Sequence, residues 1–142
     1  MQFNNSKRVI FQVFVVAFIV NFIWENAQAP LYAGYNNFGQ HFWICFWATF
    51  FDALFVTLMY GLINLLRKGR YNFSKLKQIE VSLILVISLI TAIVIEFRAL
   101  SEGKWAYNQF MPLVYIIGVT PLIQLFITTL LSFKVIKVFI KK

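Results

Sequence analysis

Charge is scarce in this chain, and acid is the scarcest part of it. Asp and Glu total 5 of 142 residues, against 13 Lys and Arg. Charged residues make up 13% of the sequence, where a soluble domain carries about 25%. The single cysteine, Cys45, excludes an intrachain disulfide and leaves redox compartment open. One histidine and one cysteine provide no ligand set for a dedicated zinc or iron–sulfur site, so no metal and no cofactor is expected. No P-loop, G-x-S-x-G or H-E-x-x-H segment occurs, which removes the standard soluble-enzyme motifs. Low-complexity stretches are missing, as is the alternating strand pattern of a membrane barrel.

What the chain has in quantity is apolar side chains, at 61%. That excess must face something other than water. Four apolar runs, about 9–27, 42–66, 79–98 and 112–133, are near or above the ~17–20 residues needed to cross a hydrocarbon core. Segments that cross lipid without pairing must be helical, because lipid offers backbone groups no partner. The expected fold is all-α: one transmembrane domain over residues 1–142, built as a four-helix bundle.

The formal net charge of +8 raises nucleic-acid binding, but the basic residues form short runs at helix ends and no basic-aromatic surface. No nucleic-acid partner is expected. Read as membrane topology, the runs agree with one another. Lys7, Arg8, Arg67, Lys68, Arg70, Lys75, Lys77, Lys134, Lys137, Lys141 and Lys142 fall on one side, and only Arg98 and Lys104 on the other. The positive-inside rule places the first group, and both termini, in the cytoplasm. Ala27-Gln28-Ala29 after Lys7-Arg8 imitates a signal-peptide cleavage site, but Pro30 and the preceding Trp24-Glu25 argue for a retained first span. Tyr32, Tyr35, Phe42, Trp43, Trp105 and Tyr107 are the aromatic residues of an interfacial belt.

Ionisable groups inside a span cost roughly 2.5–3.5 kcal/mol each and need a partner or a task. Asp52 lies ten residues past Phe42, or ~15 Å along a helix, near the middle of a span. Glu25 and Glu96 each lie ~24 Å from the cytoplasmic boundary, at a common level. Helical spacing puts Asn21, Glu25 and Gln28 on one face of span one, with Trp24 beside them. His41, Cys45, Thr49 and Asp52 share a face of span two, and Gly118, Pro121, Gln124 and Thr128 a face of span four. Turned inward, these faces predict a polar cavity in the outer half of the bundle, with Arg98 neutralising Glu25 or Glu96. The plainer reading of the same residues is interhelical hydrogen bonding for Asn21 and Gln124, close packing for Gly118 and Pro121, and a small filler for Cys45.

Two resemblances follow from particular segments. Trp24-Glu25-Asn26-Ala27-Gln28-Ala29-Pro30-Leu31-Tyr32, with Glu96-Phe97-Arg98, Gly103-Lys104-Trp105-Ala106-Tyr107 and Met111-Pro112, resembles a group of small four-span bacterial membrane proteins carrying W-E-x-x-Q-x-P-L-Y near the first span. That likeness covers most of the chain and implies the fold without naming a chemistry. Over 103–126, Gly103-x-Trp105-x-Tyr107, Gly118, Pro121 and Phe126 look like part of the lycopene cyclase domain. That family has paired acids after the proline of its last helix, where this chain has Leu122-Ile123-Gln124. The likeness therefore implies an isoprenoid-like pocket without the acid that protonates a polyene.

The function expected from these residues is binding of a hydrophobic, lipid- or isoprenoid-like molecule in a bacterial inner membrane, with or without chemistry on it. The polar end would meet Trp24, Gln28, Arg98, Trp105, Tyr107 and Gln124, and Glu25, Glu96 or Asp52 would be the proton donor or base. A non-catalytic accessory subunit of a larger membrane complex, or a homo-oligomer, is the alternative. A proton-coupled exporter using Asp52 is the third.

Overall fold

In the computed structural model, which describes residues 2–140 and the side chains of 7–139, the chain forms four long helices. They are α1 (Gln2–Gln28), α2 (Phe38–Leu66), α3 (Gln78–Ser101) and α4 (Val119–Ile140), with a two-stranded hairpin, β1 (Leu113–Val114) and β2 (Ile117–Gly118), before α4. Four stretches, Lys7–Leu31, Phe38–Leu66, Gln78–Ser101 and Val119–Phe139, are long and apolar enough to cross a membrane. The all-α expectation is met. Lys141 and Lys142, counted above for orientation, lie outside the described residues.

Local chemistry sets the helix ends. Pro30 turns the end of α1 into a single 3-10 turn, Ala29–Leu31. Asn37 opens α2 by accepting from Gln40 N at 3.1 Å. Gly69, at φ +76°, closes α2 and donates to Asn64 O at 2.8 Å. Gly103, at φ +66°, ends α3.

The fourth helix starts later than the apolar run implies. Residues 112–118 form the hairpin, with Tyr115 at φ +58° in its turn, and Val119 N donates to Pro112 O at 2.8 Å. Leu113 to Ile117 is apolar throughout, so hydropathy alone does not separate this hairpin from the helix it feeds.

The helices pack unevenly on one another. Packing joins α1 to α2, α1 to α4 and α3 to α4, with α2 also touching α4 across the diagonal, whereas α2 and α3 make no comparable contact. The α1–α2 side is an aromatic zipper at four-residue spacing on both strands of the hairpin. Phe14 meets Phe50, Phe18 meets Phe46 and Phe22 meets Phe42, at 5.6, 5.5 and 6.1 Å between ring centres. A second core of Val13, Ala53, Val56, Ile63, Ile84 and Ile136 fills the half nearer the α2–α3 loop.

Candidate functional site

Each of the three inward-turned polar faces contributes to a single hydrogen-bonded cluster, centred on Gln124. This residue sits one and a half turns into α4 and is buried. Its Nε2 donates to Glu25 Oε1 and to Asp52 Oδ2, both at 2.6 Å, and lies 3.5 Å from Asn21 Oδ1. Its Oε1 accepts from Gln28 Nε2 at 2.8 Å, and Gln28 Nε2 also reaches Glu25 Oε1 at 3.2 Å. Trp24 Nε1 closes the ring by donating to Gln28 Oε1 at 3.2 Å. Because Glu25 and Asp52 share one nitrogen, their nearest oxygens lie no farther apart than twice its bond length. Like charges at that separation repel strongly wherever water is excluded.

These side chains bond to one another directly, where the spacing alone predicted that they would line a cavity. Glu25 and Asp52 nevertheless are only partly buried, while Asn21, Gln28 and Gln124 are buried. Asp52 was expected at mid-span and Glu25 nearer the end. They meet because Gln124 is long enough to bridge them.

Glu96 forms a neighbouring site. Its Oε2 accepts from Trp105 Nε1 at 3.1 Å and from the Tyr107 hydroxyl. Tyr32 lies over this pair, 6.4 Å from the Trp105 ring and 5.4 Å from the Tyr107 ring, and its backbone bridges to Tyr107. Burial, then the nearby Glu96 and Glu25, push the Tyr32 hydroxyl far above its ordinary range. Burial and the bond to Glu96 raise Tyr107 as well, so both phenols stay protonated. Gly118 is needed for this approach, since a Cβ there would come within 3.1 Å of Tyr107 Cζ and 2.9 Å of Met111 Sδ. Glu96 is thus turned toward the aromatic loop, whereas Glu25 is turned toward α2 and α4.

Arg98 does not join either acid. Its Nε donates to Glu102 at 2.7 Å and its side chain is 74% exposed. The reason is helical geometry: a residue two positions past Glu96 points to the opposite side of the helix. Lys104 pairs with Glu102 too, at 2.8 Å, and together the two cations hold Glu102 down to about 2. His41 packs its ring on Tyr35 at 4.9 Å, in the loop region. Cys45 is a buried free thiol on α2.

One ionic site was not anticipated. Arg67 makes a two-pronged contact with Glu80, Nε to Oε1 at 2.6 Å and Nη2 to Oε2 at 2.5 Å. It also donates to Ser74 Oγ and Lys75 O and stacks on Tyr71 at 4.9 Å. Lys77 N donates to Glu80 Oε2 at 2.7 Å. Arg67 appeared among five basic loop residues, and nothing in the spacing singled it out. An acid in the first turn of α3 was the available signal.

Among the described residues, the three ion pairs are Arg67–Glu80, Arg98–Glu102 and Lys104–Glu102. None includes Glu25, Asp52 or Glu96. Also among the described residues, no three His, Cys, Asp or Glu converge as metal ligands would. The chain matches no protein-family model, no curated protein and no solved structure.

Proposed function

We propose that this chain is a multi-pass protein of a bacterial inner membrane, with both termini cytoplasmic, that binds the polar end of a hydrophobic, lipid-like molecule at Glu25, Asp52 and Gln124. Four helices of spanning length and the one-sided distribution of Lys and Arg support the setting. The observation that carries the binding reading is the convergence of two carboxyl groups from different helices on one amide, with no cation beside them among the described residues. Buried charges kept for structure are normally paired. Here the pairing is left incomplete among the described residues, both acids retain some accessible surface, and the α2–α3 side is the least closely packed. A molecule with an apolar tail would enter laterally from the bilayer through that side. Its head would complete the hydrogen bonding that the protein leaves open.

Native mass spectrometry of the protein purified in mild detergent tests this. The expected result is a retained small molecule on the wild type that is lost in Asp52→Asn and Glu25→Gln. A bare wild-type mass, or equal retention in the folded variants, overturns it.

The same convergence also favours a second reading, a proton-coupled exporter. Glu25 is near the end of α1, yet it shares Gln124 with Asp52, so a first-span acid and a second-span acid act at one point. Substrate-driven proton flux in proteoliposomes, lost in Asp52→Asn, is the outcome that reading predicts.

A further inference from the structure

Resting on the binding reading above, we propose that the ligand's polar end is a protonated primary amine, so that the site takes an alkylammonium ion. The first argument is an inventory of acceptors. Glu25 Oε1 and Asp52 Oδ2 receive amide hydrogen bonds and the two carboxyl groups are within hydrogen-bond reach of each other, but Glu25 Oε2 and Asp52 Oδ1 receive no amide or hydroxyl donor from the described residues. Two carboxyl groups in contact hold one proton between them more readily than two charges, and the negative charge that remains calls for a molecule that brings donors, positive charge, or both.

The second argument is independent of the acids. Thr49 Oγ1 and Thr128 Oγ1 are fully buried and have no hydrogen-bond partner. Other threonines in these helices satisfy themselves on the preceding turn: Thr57 donates to Ala53 O and Thr129 to Leu125 O, at 2.7 and 2.6 Å. Thr49 and Thr128 do not. Helical side chains lean toward the N-terminus of their helix. Thr128 lies one turn beyond Gln124 and leans back toward it, and Asp52 leans toward the turn that holds Thr49. Two unpartnered hydroxyls therefore sit within one helical turn of the residues that build the site, Thr128 by Gln124 and Thr49 by Asp52. An ammonium group has three N–H donors and one positive charge, which matches that set. An anionic head would meet two carboxyl groups and no cation, and a neutral alcohol would leave the charge unanswered. Tyr32, Trp105 and Tyr107 line the neighbouring Glu96 site with aromatic surface that tolerates a cation.

The test compares three probes with one alkyl tail: dodecylammonium, dodecanol and dodecyl sulfate. Each is titrated onto the protein in phosphatidylcholine nanodiscs, with empty nanodiscs subtracted, and binding is read from tryptophan fluorescence. The inference predicts that dodecylammonium binds about tenfold or more tightly than dodecanol, and that dodecyl sulfate does not bind. Glu25→Gln and Asp52→Asn should each remove that preference, and the surface variant Glu102→Gln should keep it. Dodecanol or dodecyl sulfate binding as tightly as the ammonium ion would overturn the amine assignment and leave the lipid-like reading standing. Binding by none of the three would overturn both. The wild-type ranking decides the matter without depending on how any variant folds.

Discussion

Two acid sites sit at different levels of this bundle, and they are built on opposite plans. Near the α2–α3 loop, Glu80 has a side chain 5% exposed and is answered by the guanidinium of Arg67, with a backbone N–H as well. Away from that loop, Glu25 and Asp52 are answered by the Gln124 amide they share and, for Glu25, by Gln28 as well, with no guanidinium or ammonium beside them among the described residues. The first is saturated with donors, while the second has open acceptors. A saturated pair fastens a loop to a helix: Arg67 also holds Ser74 and Lys75, and it stacks on Tyr71. An unsaturated pair gives the fold little and leaves bonding capacity for something else. Burial of an acid alone does not separate these roles, but the count of its donors does.

Breaking the saturated site should have the largest effect. Arg67→Gln strands a buried carboxylate, so a loss of roughly 3–5 kcal/mol is expected, measured by thermal unfolding in detergent. Replacing both partners, as in Arg67→Met with Glu80→Leu, should restore much of that loss. A single variant as stable as wild type would show that the loop does not depend on the pair.

Gln124→Leu comes next. It removes the donor that Glu25 and Asp52 share, and hydrogen bonds to charged groups contribute about 1.5–3 kcal/mol, so a fall in that range is expected. If the melting temperature holds, the amide is not what separates the two carboxyl groups.

Arg98→Gln sharpens the comparison from outside both sites. An exposed i, i+4 ion pair is screened by water and contributes little, so this variant should unfold within error of wild type. In double-mutant cycles Arg98 should couple to Glu102 and not to Glu25 or Glu96. Measurable coupling to either acid would place Arg98 back in the cluster.

The smallest effect concerns pH. Glu102 titrates at about 2 in the fold, below its ordinary value of 4.5. A depressed acid stabilises the protein above its unfolded value, and that contribution is lost as pH falls from 4.5 toward 2. Glu102→Gln should slightly flatten the acid limb of stability against pH and leave the neutral range unchanged. A changed stability at neutral pH would give Glu102 a role beyond this surface pair.

Much of the fold was legible because lipid-length helices announce themselves in hydropathy, and Asn37, Pro30, Gly69 and Gly103 mark their ends. Helical spacing also brought the right residues inward: Asn21, Glu25 and Gln28 on α1, Asp52 on α2, and Gln124 on α4 meet as their shared faces implied. Spacing within one helix does not say which faces of different helices touch. Glu25 therefore paired with Asp52 through Gln124, while Glu96 turned to Trp105 and Tyr107 in a loop of irregular backbone. The 112–118 hairpin was hidden because its apolar residues continue into α4, and only the left-handed turn at Tyr115 betrays it. Arg98 was readable and misread, since residues two apart on a helix never face one way. Arg67–Glu80 depends on how an eleven-residue loop folds back, which no periodicity encodes.

The central claim is that the Glu25–Asp52 site serves binding and the Arg67–Glu80 site serves the fold. Thermal unfolding of Asp52→Asn, made beside Arg67→Gln in the same detergent, tests it most directly. Asparagine keeps a group that accepts from Gln124 and removes one of two facing charges. The account predicts a stability within about 1 kcal/mol of wild type, or above it. A loss matching that of Arg67→Gln would contradict the claim and make both sites structural.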